Sequence, residues 1–267
     1  MSMIHPTAVI AAGAKIASDV KIGPYCTIDA HVSIAQGCEL ISHVVVSGHT
    51  EIGKNNRIFP FAAIGMDPQD MKYHGEASTV VIGDNNTIRE NVTINTGTEG
   101  GGMQTRIGNN NMLMAYVHIA HDCLLGDETI LANCASLAGH IEIQDGSIIG
   151  GMSAIHQFVR IGRYAMVGGM SGITKDVPPF CLTAGGYRPG LAGLNIIGLK
   201  RRGFSLDDIA QLKQAYRILL QGPGSLADKI TQVESALGDF PQVRELLDFV
   251  RSAKRGLTIH RRDGNNE

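Results

Sequence analysis

The sequence predicts an all-β fold, a parallel β-helix assembled from hexapeptide repeats, followed by a C-terminal α-helical region. Three observations predict it. An aliphatic residue returns at every sixth position over most of the chain from Ile4 to Ile173, a small or modest side chain stands two positions before it, and both rules stop near residue 190, where helix-start signals begin.

The first run of the repeat is Ile4, Ile10, Ile16, Ile22, Ile28, Ile34, Leu40, Val46, Ile52, Ile58 and Ile64. It resumes in phase at Ile82, Ile88 and Ile94, then restarts one residue later at Ile107 and continues through Ile119, Leu137 and Ile155 to Ile173. A six-residue unit is too short for a helical repeat and fits one short strand plus a turn. Three units close a triangular coil, and successive coils stack as parallel strands about 4.8 Å apart. The aliphatics point inward, where each contributes roughly 1.5–3 kcal/mol by burial. Small residues such as Ala8, Ala14, Cys26, Cys38 and Cys123 fill the space beside them, and the Asn pairs 55–56, 85–86 and 109–110 supply turn residues that tolerate left-handed backbone. The period fixes the coil but not its hand.

Two stretches break the period without ending it: Gly65 to Val81 and Asn95 to Arg106. They read as loops thrown out of the coil, and loops on a rigid scaffold are favoured places for binding residues. The expected organisation is therefore a repeat domain over 1–190 with loops at 65–81 and 95–106, and a helical domain over 191–267. In the latter, Ser205-Leu206-Asp207-Asp208 predicts a capping box, Ser225 opens LADKITQVESAL, and Pro241 stands at a first helical turn. The tail HRRDGNNE has nothing to bury and is expected to fray.

Composition excludes several classes. With 5% aromatics, no Trp and 33 glycines, the core must be built of aliphatics between many similar turns. A formal net charge of −2 gives no bulk attraction for nucleic acid, although the chain from Lys200 onward carries a basic excess suited to an acidic partner. No run reaches the ~18 apolar residues of a membrane span, and the N-terminus lacks the basic and apolar regions of a secretion signal. The five cysteines show no CxxC spacing, so no zinc or disulfide framework is expected and a reducing, cytoplasmic setting follows.

The chemistry concentrates in the stretch VHIAHDC, Val117 to Cys123. Ile119, Leu137 and Ile155 are each 18 residues apart and should stack as one column. Relative to it His118 stands at −1, His121 at +2, His140 at +3 and His156 at +1, so four of the ten histidines gather along one ridge. Three readings fit. The imidazoles could cap turns or fill a subunit interface, they could hold zinc, or one neutral imidazole could take a proton while its neighbours hold a substrate. Asp122 is placed to fix a tautomer in the third case, and no paired Ser or Cys suggests a covalent intermediate.

Repeat, histidines and tail together resemble bacterial UDP-N-acetylglucosamine 3-O-acyltransferases, on the segments SHVVVSGHTEIG, PQDMKYHGE, HIAHDC, LAGH, GGMSAIHQF, VGGMSGI, DVPPF and GLKRRGFS. The resemblance implies a left-handed coil, a homotrimer with clefts between neighbouring prisms, and transfer of a (3R)-3-hydroxyacyl group from acyl carrier protein to the 3-hydroxyl of UDP-N-acetylglucosamine, the first step of lipid A synthesis. It implies no metal and no cofactor. Carried over by motif, His121 is the general base, Asp122 orients it and Gly139 supplies an oxyanion N–H. His118, His140, His156, Gln157, Gln69, Asp70 and Lys72 contact substrate, and Asn195, Arg201 and Arg202 face the nucleotide. Met166 and Gly169 border the acyl groove, where a glycine at 169 leaves room for a longer chain. Lys200, Arg201, Arg202, Lys254, Arg255, Arg261 and Arg262 would steer the acidic carrier protein. Ile197, where many members carry a glutamate, and the stretch Thr183 to Asn195, with Tyr187 in place of a common histidine, depart from the family pattern. The remaining alternatives are a sister N-acyltransferase, a trimeric zinc carbonic anhydrase and a non-catalytic scaffold.

Overall fold

A computed structural model describes residues 3–260. The chain winds a left-handed parallel β-helix with three flat faces. Two faces carry ten strands and the third eight, and through most of each face neighbours in space are parallel strands one full coil apart in sequence. Most strands are two residues long, the second being the inward aliphatic, as at Lys21–Ile22, His118–Ile119 and Ser136–Leu137. The registers Ile119↔Leu137 and Leu137↔Ile155 give the column expected from the 18-residue spacing. From Ile22 to Ile173 the repeat aliphatics are almost wholly buried, whereas Ile4, in the first described coil, is 37% exposed. Cys26, Cys38 and Cys123 are buried as packing residues.

The asparagine pairs do two jobs. Asn55, Asn85 and Asn110 turn the chain with left-handed backbone, at φ 55°, 58° and 57°. Asn56, Asn86 and Asn111 point inward in a buried ladder: the N–H of Asn86 donates to Asn56 Oδ1 at 2.9 Å, and the N–H of Asn111 to Asn86 Oδ1 at 2.8 Å. A polar side chain is tolerated at the small-residue position because its oxygen accepts from the coil above.

The two interruptions are shorter than the break in period suggests. Strands Ala63–Met66, Thr79–Ile82, Thr93–Asn95 and Gln104–Ile107 reach into them, and Val80 lies in register with Thr50 and Thr105. The residues flanking each excursion lack the hexapeptide pattern yet still find a neighbouring strand to pair with.

At the other end, strand Leu191–Leu194 pairs antiparallel with Cys181–Thr183, so sheet structure extends past residue 190. Helix α1 follows at Ile196–Arg201 and α2 at Leu206–Tyr216, where Ser205 and Asp208 form the expected capping box. A π-helical turn, Arg217–Gln221, prolongs α2. Helix α3 spans Leu226–Leu237 with Ser225 as N-cap, and α4 spans Pro241–Arg251 with its proline in the first turn. A two-toothed pair ties α4 to the coil, Arg163 Nε and Nη2 donating to Glu245 at 2.8 and 2.7 Å. Among the tail residues, His260 bonds Gln221 and the Tyr216 hydroxyl. Residues 261–267, including Arg261 and Arg262, lie outside the described part.

Candidate active site

His121 and Asp122 form one corner of a coil, between strands His118–Ile119 and Leu124–Leu125. Asp122 takes left-handed backbone at φ 59°, a costly conformation for a residue with a Cβ. Its N–H is held by the Thr105 hydroxyl oxygen at 2.8 Å. The Asp122 side chain is wholly buried, yet each of its oxygens has a donor. Oδ1 accepts from the Thr98 N–H at 2.9 Å, and Oδ2 accepts from the Thr98 hydroxyl at 2.6 Å and from His121 Nδ1 at 2.8 Å. The bond to the carboxylate oxygen assigns a proton to Nδ1, and in that tautomer of the neutral ring Nε2 presents its lone pair.

Nε2 faces the first loop. Asp70 Oδ2 stands 3.9 Å away, beyond hydrogen-bonding distance. Gly139 completes the setting: a Cβ there would fall 2.4 Å from His121 Cε1 and 2.6 Å from Nε2, so only glycine admits the imidazole at this height. Among the described residues the Gly139 N–H has no hydrogen-bond acceptor, leaving a donor beside the His121 ring.

Two further rings surround the pair. His140 meets His121 edge to face, centroids 5.0 Å apart, and lies flat on Phe158 at 4.5 Å. Its Nδ1 is 3.8 Å from Asp122 Oδ2. His118 bonds Thr93 Oγ1 through Nδ1 at 2.7 Å. Burial lowers the pKa of both His118 and His140 from the ordinary value, and the proximity of His121 adds to each. Both shifts favour the uncharged ring beside His121.

The structure brings together His118, His121, Asp122, Gly139, His140 and Asp70, with Lys72 close enough to disfavour charge on His140. Gln69 is exposed on the same loop. His156 stands one coil further along the ridge but is exposed, bonds the Gln157 carbonyl at 3.2 Å, and touches none of the other three histidines. Asn195, Arg202, Met166 and Gly169 lie elsewhere. Asn195 caps α1 through Gly198 N–H at 3.2 Å and donates to Tyr164 O at 3.0 Å. Arg202 pairs with Glu128 at 2.7 Å and packs over Tyr164, on a different corner of the coil, and Arg201 is exposed beside it. Met166 and Gly169 flank a third corner. The sequence reading missed Thr98, Gly101 and Thr105, which belong to the aperiodic second loop and its returning strand.

His121, Asp122 and His140 offer ligand atoms within 4.8 Å of one another, the one such group among the described residues. The donor set fits a cation poorly, because Asp122 Oδ2 already accepts two hydrogen bonds and a metal would have to displace them.

The acyl-[acyl-carrier-protein]–UDP-N-acetylglucosamine O-acyltransferase of Thermodesulfovibrio yellowstonii is 54% identical over 257 residues, covering 96% of this chain and 99% of the relative. The chain belongs to the UDP-N-acetylglucosamine O-acyltransferase family. The model of that family's second domain matches residues 176–258, and the bacterial transferase hexapeptide model matches 104–139. Among solved structures, the O-acyltransferase of Moraxella catarrhalis superposes with a TM-score of 0.93 at 43% identity, covering 96% of this chain and 99% of that one. That of Acinetobacter baumannii gives 0.93 at 45% identity, covering 97% and 100%. As a member of this O-acyltransferase family the protein is an acyl-group transferase.

Proposed function

We propose that the protein transfers a 3-hydroxyacyl group from acyl carrier protein to the 3-hydroxyl of UDP-N-acetylglucosamine, by direct attack assisted by His121. One observation carries the reading: a buried imidazole whose Nδ1 is locked on a carboxylate, with Nε2 free and a glycine N–H beside it. Nε2 takes the sugar hydroxyl proton as the oxygen bonds the thioester carbon. The Gly139 N–H donates to the developing oxyanion. The C–S bond then breaks, and the imidazolium returns its proton to the departing thiolate. The thioester is already activated, so the step demands no metal or organic cofactor.

Asp70, Lys72 and Gln69 on the first loop, with His118, His140, His156 and Gln157, would hold the sugar nucleotide over His121. Asn195, Arg201 and Arg202 sit on another corner of the same coil, so one chain cannot close both halves of such a site around one ligand. That separation supports a homotrimer in which a neighbouring copy completes the cleft, with the basic positions from Lys200 onward facing the carrier protein. In the acyl groove a Cβ at Gly169 would meet only the Gly151 backbone, its carbonyl oxygen at 3.3 Å, which supports a long acyl chain beside Met166.

The test is direct. Purified protein is supplied with UDP-N-acetylglucosamine and a series of 3-hydroxyacyl carrier-protein donors, with products read by mass and His121→Ala assayed beside the wild type. The proposal stands if the wild type forms the O-acyl product and His121→Ala binds the UDP-sugar without turnover. Undiminished turnover in His121→Ala rejects it. Activity lost to chelators and restored by zinc would favour instead a metal gripped by His121, Asp122 and His140.

A further inference from the structure

The second loop contains a residue whose local role is given up for the site. Thr98 is the N-cap of the 3-10 turn Glu99–Gly101, the position where a threonine hydroxyl ordinarily accepts from a backbone N–H of the first turn. Here no such bond forms. The hydroxyl donates to Asp122 Oδ2 at 2.6 Å instead, and the Thr98 N–H donates to Oδ1 at 2.9 Å. Thr98 is itself buried, and its carbonyl accepts the N–H groups of Gly101 and Met103, both at 3.0 Å, so its own backbone is fixed. Gly101 presses on the same carboxylate from the other side of the turn: a Cβ there would fall 2.0 Å from Asp122 Cγ.

We infer that Thr98 is a positioning residue, which clamps the Asp122 carboxylate with two donors and thereby sets the orientation and tautomer of His121. The inference rests on the reading of His121 as the base. Of the three hydrogen bonds to this buried carboxylate, Thr98 supplies two and His121 the third. Without the hydroxyl, Oδ2 keeps only the imidazole as partner. The carboxylate gains freedom to rotate, and the negative charge facing Nδ1 rises.

The loop is anchored to match. Glu76 of the first loop accepts the Glu99 N–H at 3.1 Å, and Asn95 Nδ2 donates to the Asp67 carbonyl at 2.9 Å. The excursion that carries Asp70 and the excursion that carries Thr98 therefore form one latched unit. Substrate contact and base alignment are set by the same pair of loops.

The experiment compares Thr98→Val, Thr98→Ser and Gly101→Ala with wild type and with His121→Ala. Readouts are kcat, the KM for UDP-N-acetylglucosamine, the pH dependence of kcat/KM, and melting temperature. Valine keeps the shape and removes only the hydroxyl, so kcat should fall about 10- to 100-fold, as for loss of one charge-assisted bond, with KM changed less than about threefold. The acidic limb of kcat/KM should move to higher pH, because the more basic carboxylate favours the imidazolium. Serine should restore kcat to within about threefold. Gly101→Ala, which displaces the carboxylate by contact, should lower kcat without any change at Thr98. If Thr98→Val fails to fold, Thr98→Ala, which removes the same hydroxyl, decides the matter by the same readouts. A Thr98→Val enzyme with kcat within twofold of wild type overturns the inference. So does a serine variant as slow as valine with the acidic limb unmoved, which marks Thr98 as packing only. Full activity in His121→Ala would instead fell the reading beneath it.

Discussion

His43 and His140 occupy equivalent positions on two different edges of the prism. Each is a non-glycine corner residue in left-handed backbone, at φ 52° and 60°, in a ladder of rings one coil apart. His43 lies between Tyr25 and Phe61, both at 5.0 Å, and His140 between His121 at 5.0 Å and Phe158 at 4.5 Å. The backbone device, the residue type and the stacking are shared. What differs is what leaves the coil nearby. The His140 edge has two loops folded over it and a buried carboxylate with Thr98 and His121 on it, whereas the His43 edge presents exposed Tyr25 and Phe61. A ring on a corner is a packing element by default, and the added loops convert one edge into a site.

The sharpest way to break that contrast is to remove the imidazoles one at a time. His121→Ala should reduce kcat by about 100-fold or more, the usual contribution of a positioned base, with a folded protein by circular dichroism. Next comes His140→Ala, expected to lower kcat/KM by about tenfold. It removes the ring packed edge to face on His121 while leaving the His121–Asp122 bond intact, and steady-state kinetics with varied UDP-sugar measures it. A third test is thermodynamic. His118 and His140 titrate below the ordinary imidazole value in the folded chain, so the unfolded chain binds more protons as pH falls below about 6.5. Their contribution to stability is complete above that pH and is lost as pH falls toward the lowered folded values. Melting temperature should drop from pH 7.5 to 5.5, and His118→Gln should flatten the slope. His43→Ala should be smallest of all, leaving kcat within twofold. A large loss there would erase the distinction between the two edges.

The repeat made most of the coil legible before any coordinates, because a six-residue period ties each aliphatic to a place in space as well as in sequence. That is why Ile119, Leu137 and Ile155 stack as expected and why His118, His121 and His140 meet. Helix starts at Ser205, Ser225 and Pro241 were readable from local capping chemistry. Thr98 and Thr105 were not, since they reach Asp122 across 24 and 17 residues from a segment without period. The antiparallel strand Leu191–Leu194 and the π-turn Arg217–Gln221 were likewise invisible, because tertiary pairing selects them and no sequence rhythm announces them. His156 shows the limit of the column argument: the spacing gives a height on the ridge but not the direction of the ring.

The strand ladders join each coil only to the coils directly above and below. The storeys beneath residue 60 thus act as a plinth whose height is free. Inserting one whole 18-residue turn there would lower the chain's first coil by a single strand spacing, about 4.8 Å. The latched loops and the histidine storey would stay where they are. Inserting half a turn would rotate every face out of line. In a molecule of this kind, length can vary in whole coils while chemistry stays on its own floor.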